Sequence, residues 1–229
     1  MQNESEPNQA PALELTASVR SLIERVRTVD PDAAADIAAA NELVRRADAL
    51  LGPHVVEGPR MQAFLKSGEM MERFAEREAS GSPAFFDGRP ISDIFRYSPV
   101  VGPFNPISAP AHLHVRTGDP YHEIEGHGVF PTAHTGPPDS VHGGLVAAVL
   151  DEMLGAACMI NDLGGFTGTL SIRYRSPTPI NKEITLRSRV TGTERRKVFA
   201  TGTMFDGETL LAEAEGIFIR SADLQQLPG

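Results

Sequence analysis

Residues Leu145 to Ile160 constrain the fold more than any other part of the chain. Leu145, Val146, Val149, Leu150, Met153, Leu154, Met159 and Ile160 recur there, with alanines between them. A helix that is apolar almost all round has to be enclosed by its own protein. Asp151 and Glu152 interrupt it. An uncompensated carboxylate in an apolar site costs free energy comparable with the whole stability margin of a domain. At least one of these acids therefore needs an offsetting partner or a chemical task. The helix is preceded by Gly136-Pro137-Pro138-Asp139-Ser140-Val141-His142-Gly143-Gly144.

The chain has 229 residues, 41% of them hydrophobic, enough for one sizeable domain plus an extension. Its net charge of −9 argues against nucleic acid as the main partner, which would require a basic face. Cys158 is the single cysteine and sits between Ala157 and Met159, as a small buried hydrophobe would. The N-terminus lacks the basic segment and apolar core of a signal peptide. No apolar run reaches the ~18 to 20 residues of a membrane span. The expectation is a soluble, cytoplasmic protein.

Residues 1–12 read as a disordered tail, and residues 13–100 as a helical extension with a connecting loop. The main domain is expected over 101–222, with a short tail at 223–229. Leu15, Val19, Leu22, Val26 and Val29 fall at helical spacing, with Arg20, Glu24, Arg25 and Arg27 elsewhere. Asp30-Pro31-Asp32 suits the cap and first turn of a second helix, striped by Ile37, Leu43, Val44, Leu50 and Leu51 and stopped at Gly52-Pro53. A third helix is predicted from Arg60 to Glu78. Docking on the main domain, pairing with a partner and self-association are all open destinations for these helices. Prolines and glycines punctuate 84–110, where Phe85-Phe86, Ile94-Phe95 and Val100-Val101 are expected to pin the chain to a surface.

Beyond that boundary His112 to Thr117 and Glu123 to His134 read as strands. After the apolar helix the period switches to two. Phe166, Gly168, Leu170, Ile172 and Tyr174 form one face of the next strand; Thr167, Thr169, Ser171, Arg173 and Arg175 form the other. Strands at Thr185 to Thr191, Val198 to Phe205 and Leu210 to Ile219 follow. The order predicts an α+β domain in which a curved antiparallel sheet wraps round one long central helix.

Gly-Pro-Pro-x-x-Val-His-Gly-Gly, Asp151 nine positions after His142, and Thr167 within Thr-Gly-Thr-Leu-Ser-Ile-Arg-Tyr-Arg-Ser-Pro together carry a family resemblance. The chain resembles the hotdog-fold acyl-CoA thioesterases, in the branch of the phenylacetic-acid-pathway and mammalian mitochondrial long-chain enzymes. The resemblance covers about residues 100 to 220. It implies hydrolysis of acyl-CoA to free acid and CoA, with Asp151 as general base or nucleophile, Glu152 as the competing acid, and Thr167 positioning the water or the acid. Gly143 and Gly144 would offer backbone N–H groups to the developing oxyanion, and His142 would donate a hydrogen bond or orient the loop, a capping or packing histidine being its other reading. In some branches an Asn or Gln upstream of the histidine is a second donor; six residues before His142 this chain has Gly136.

Nine residues place His142 and Asp151 on opposite sides of an ideal helix. Together with the family's paired sheets this implies a homodimer, or a dimer of dimers, with composite sites. Between Arg173 and Lys197 eight bases face two acids, a local +6. Coenzyme A phosphates would suit such a patch, with Arg173, Arg175, Arg195, Arg196 and Lys197 as the contacts. No cofactor is implied beyond the coenzyme A of the substrate. A metal site built on His112, His114, His122, His127 and His134 is disfavoured: a cupin-type glycine before His112 is replaced by Pro106, and Glu123 lies nine beyond His114. A dehydratase or hydratase of the same fold would place an acid about fourteen residues after a histidine; fourteen from His134 is Ala148. A non-catalytic acyl-CoA-binding or assembly protein is the alternative from another class.

Overall fold

Two glycines let the central helix settle onto the sheet. A Cβ at Gly202 would stand 2.5 Å from Leu154 Cδ1, and one at Gly216 would stand 2.7 Å from Leu154 Cδ2. Their absence brings Leu150 and Leu154 down onto the strands, and both are fully buried. The computed structural model describes residues 10–55, 91 and 95–220. Within them lie α1 (Ala10–Val26), α2 (Ala34–Leu51), β1 (Ala111–Arg116), β2 (Glu123–Val129), α3 (Gly143–Ile160), β3 (Phe166–Tyr174), β4 (Glu183–Glu194), β5 (Lys197–Asp206) and β6 (Thr209–Ile219). The sheet runs β1-β2-β4-β5-β6-β3, with every neighbouring pair antiparallel.

The alternation expected of the later strands is present. Ile184, Leu186 and Val190 on β4, Val198, Ala200 and Met204 on β5, and Ala212, Ala214 and Phe218 on β6 are buried. They meet Val146, Val149, Leu150, Met153 and Leu154 of α3. Ser188 Oγ donates to the Met153 carbonyl at 2.8 Å, tying mid-helix to mid-sheet. At the helix C-terminus Asn161 Nδ2 donates to the Ala157 carbonyl, and its amide also pairs both ways with the His122 backbone. Cys158 is buried, and desolvation pushes its thiol up to about 12, in keeping with a packing role. Gly143–Ile160 does reach the length and apolarity of a membrane span, against expectation, but half of it is buried within the protein. It is the core helix.

Several boundaries differ from expectation. Strand β2 ends at Val129 because Pro131 begins a 3₁₀ turn, Thr132–His134. The core extends upstream of residue 101 to include Ile91 and Phe95. Helix α1 starts at Ala10, inside the expected tail. Asp30-Pro31-Asp32 does not cap α2. Asp30 Oδ1 instead accepts from Asp32 N in a turn, and the helix begins three residues later behind Ala33. The predicted helix at Arg60 to Glu78 and the segments at Phe85-Phe86, Ile94 and 223–229 lie outside the described residues. Helix α1 docks on the domain, whereas α2 buries none of its residues.

Candidate active site

The first turn of α3 is built by His142. As N-cap it has extended backbone, and its Nδ1 accepts from Gly144 N–H at 3.0 Å. A capping side chain that accepts from the second helical residue satisfies one of the orphan donors at a helix start. This corrects the expectation that Gly143 and Gly144 both present open donors. In this structure Gly144 N–H is occupied by the imidazole, while Gly143 N–H donates to no acceptor among the described residues. His142 is solvent-exposed, so its ring is free to rotate away. Tyr174, at the end of β3, donates its hydroxyl to the Gly143 carbonyl at 2.9 Å. It fixes the same turn from the side; it lies within the Thr167 to Pro177 stretch that carries the resemblance, where no role was expected of it.

Asp151 lies two turns further along. Its Oδ1 accepts from Thr167 Oγ1 at 2.9 Å. Strict alternation would have put Thr167 on the outer face with Thr169 and Arg173. Instead, the pairing shifts between Thr167 and Thr169: Thr167 stands opposite Phe218, while Thr169 stands opposite Ile217, leaving Gly168 as an extra residue. Directly opposed residues share a face, and Phe218 points into the core. The bulge therefore turns Thr167 inward, toward the helix. It also puts Phe166 on the outer side, 65% exposed, against the expectation that it would face inward. Of the two acids, Asp151 is joined to the Thr167 hydroxyl, while Glu152 carries a buried Oε1.

The expected phosphate contacts divide into two groups. Arg173 pairs with Glu215 at 3.4 Å, and Arg175 pairs with Glu213 on the neighbouring strand. Lys182, Arg187 and Arg189 likewise meet Asp206, Glu125 and Glu123. The local count of +6 thus overstated the field, because the acids arrive from other strands. Arg195, Arg196 and Lys197 take part in no ion pair among the described residues. They form the β4–β5 turn, where Arg195 adopts a positive φ of 53° and Arg196 Nε donates to the Arg220 carbonyl at 3.1 Å. Arg220 adds a fourth base that the count to Lys197 missed. This basic turn lies near Thr167, since Lys197 and Phe166 both register with Ile219.

The histidines remain dispersed. His112 and His127 stack across β1 and β2 at 5.2 Å, and no three metal-ligating side chains converge among the described residues.

A six-stranded antiparallel sheet folded round one helix, with an acid in the helix and a glycine pair at its start, defines a hotdog domain. Residues 139–213 match the family model of the thioesterase superfamily. The chain is 34% identical over 87 residues to acyl-coenzyme A thioesterase THEM4 of Mus musculus, covering 37% of each protein. It is 28% identical over 87 residues to acyl-coenzyme A thioesterase THEM5 of Homo sapiens, covering 37% of this chain and 35% of that one. The matched stretch therefore spans little more than a third of these relatives. A crystal structure of a thioesterase superfamily protein superposes with a TM-score of 0.71 at 24% identity, covering 94% of both chains. Residues 139–213 thus resemble the thioesterase superfamily, and the chain as a whole shares the fold of that crystal structure.

Proposed function

We propose that the protein hydrolyses acyl-CoA thioesters to the free acid and coenzyme A. The hydrogen bond between Asp151 and Thr167 carries this reading, because it places a held carboxylate at an exposed sheet edge. Asp151 acts on the thioester carbonyl carbon, either by taking a proton from water as it attacks or by attacking directly. The oxyanion forms against Gly143 N–H, and rotation of His142 on substrate binding adds Gly144 N–H. Collapse breaks the C–S bond and releases the CoA thiolate, which takes up a proton; where Asp151 attacks directly, water then cleaves the resulting mixed anhydride to free the acid and restore the carboxylate. Arg195, Arg196, Lys197 and Arg220 suit the nucleotide phosphates.

Eight residues of helix separate Gly143 from Asp151, about 12 Å along the axis, too far for both to hold one carbonyl. The reading therefore includes a homodimer joined at β3, in which one subunit's acid works with the other's helix N-terminus.

Release of free thiol from a panel of acyl-CoAs tests the proposal. Asp151→Asn is expected to lower kcat by about 10²-fold or more. Full activity in that variant overturns the role of Asp151. Tight binding of CoA with no turnover by the wild type would favour the acyl-CoA-binding alternative.

A further inference from the structure

The segment between β2 and α3 carries His142 and is attached on one side to residues 178–181, where Val141 N–H donates to the Thr178 carbonyl at 2.8 Å and Ser140 bridges Pro179. It closes on itself through the Thr135–Val141 bridge, and His142 N–H donates to the His134 carbonyl at 2.9 Å. The position of His142, and with it the start of α3, is thus tied both to the 178–181 loop and to the Thr132–His134 turn. A short helical turn leaves end groups unsatisfied. Asn181 takes the Thr132 hydroxyl at 2.9 Å. The Thr132 carbonyl accepts within the turn from Thr135 N–H and Oγ1. The turn is also gripped by a helix more than a hundred residues away: Glu24 Oε1 of α1 accepts from Ala133 N–H at 2.6 Å, and Arg27 donates to the same Thr132 carbonyl. Arg20 Nη2 donates to the Asn105 carbonyl at 2.9 Å. Two residues on, the Ile107 carbonyl accepts from His134 Nε2 at 3.0 Å.

Arg20, Glu24 and Arg27 are spaced four and three apart, so they form one polar stripe. On a solvated helix such a stripe would face water. Here Glu24 and Arg27 reach backbone groups of the turn before His142, Arg20 reaches the loop before β1, and Thr16, one turn earlier on α1, is buried. Partial burial also holds the Arg20 guanidinium below its ordinary value.

We infer that α1 is a clamp on the pre-helix loop, with Glu24 and Arg27 as positioning residues that set His142 and Gly143 for the oxyanion. The inference rests on the proposed thioesterase reading for its effect on rate, but not for its effect on loop order. None of the three side chains needs to touch substrate. The clamp lies outside residues 139–213, so it belongs to this chain's extension and not to the matched superfamily segment.

Two measurements on the full chain test it. Glu24→Ala should lower kcat about tenfold while KM for an acyl-CoA stays within about twofold, since a small misplacement of site groups acts mainly on the chemical step. Glu24→Gln, whose amide oxygen still accepts from Ala133 N–H, should recover most of the rate. Amide hydrogen exchange should accelerate at Ala133 and also at His142 in Glu24→Ala, while amides of β4 and β5 keep wild-type protection. Arg27→Gln provides a milder second variant with the same expected pattern. A lowered melting temperature with kcat and His142 exchange unchanged would reduce Glu24 to a structural contact and overturn the clamp. Exchange that accelerates at Ala133 alone would overturn it too. If the wild type releases no thiol, the thioesterase reading fails, and the His142 exchange result still decides the clamp.

Discussion

The two edges of the sheet differ in what covers them. Strand β1 has six residues, and its inward side chains Ala111 and Leu113 are 4% and 1% exposed. Strand β3 has nine, and none is buried: Leu170 and Ile172 are only half-covered, and Tyr174 is 55% exposed at the far end. A long bare edge is a template for another strand, whereas a short one is not. The chemistry follows the same asymmetry. Thr167 and Tyr174, which hold Asp151 and Gly143, are both on β3. β1 carries a ladder of side chains that satisfy one another, with His112 stacked on His127 and Arg116 paired with Glu125. In the proposed dimer, the subunit would finish its fold at β1 and leave its site to be finished at β3.

The strongest way to break this contrast is to charge each edge in turn. Thr169→Lys with Ser171→Lys extends the positive run at Arg173 along the outer face of β3. Across a two-fold axis that places like charges against one another. The expected result is a monomer by light scattering with hydrolysis reduced by about 10²-fold or more, comparable with loss of a catalytic group. His112→Lys on β1 should change neither. A monomeric β3 variant with full activity would end the shared-site reading, and a dimeric one would move the interface elsewhere.

A smaller effect sharpens the role of β3 within the subunit. Thr167→Ala removes the hydrogen bond to Asp151 and leaves the carboxylate free to rotate. A loss of about tenfold in kcat is expected, with KM little changed, as for a misaligned catalytic group. Thr167→Ser keeps Oγ and should stay within a few-fold of wild type. Equal losses in both would mean that the methyl packing of Thr167, and not its hydroxyl, is what matters.

The architecture was legible because two periodicities carry it: an all-round apolar helix at 145–160, and alternation in the later strands that survives in β4 to β6. The pair Asp151 and Glu152 stood out because acids in such a helix are anomalous; the preference for Asp151 came from its position nine residues after His142 in the motif that carries the resemblance. The geometry of Thr167 was not. One extra residue in the pairing of β3 with β6 reverses its face, and a glycine inside a strand signals a bulge only faintly. The basic stretch misled for a related reason. A count along the chain cannot see Glu213 and Glu215 arriving beside Arg173 and Arg175 from β6. The α1 clamp was hidden because its partners are backbone groups more than a hundred residues away, and any residue supplies those. Capping by His142 was only one of the readings open to the sequence, because a histidine nitrogen is an uncommon substitute for the Ser, Thr, Asp or Asn usual at that position.

The smallest expected effect tests whether the β1 side is held by its own pairs. Glu125 accepts from Arg187 at 3.0 Å and from Arg116 at 2.7 Å. The Arg187 hydrogen bond, followed by that of Arg116 and the charges of both, holds its carboxyl below the usual range. A folded pKa below the unfolded one adds stability that is present above the unfolded value and is lost as pH falls through the folded value. Glu125→Gln should therefore be less stable than wild type at neutral pH, with the gap closing as acid protonates Glu125. Both guanidinium groups are more than half exposed, so solvent screening limits the difference to at most about 1 kcal/mol, and less in high salt. Urea unfolding at pH 7 and again at pH 3 measures it. A gap of equal size at both pH values would assign the effect to packing, and the β1 edge would then owe its closure to Leu113 and Ile124 instead of to its charges.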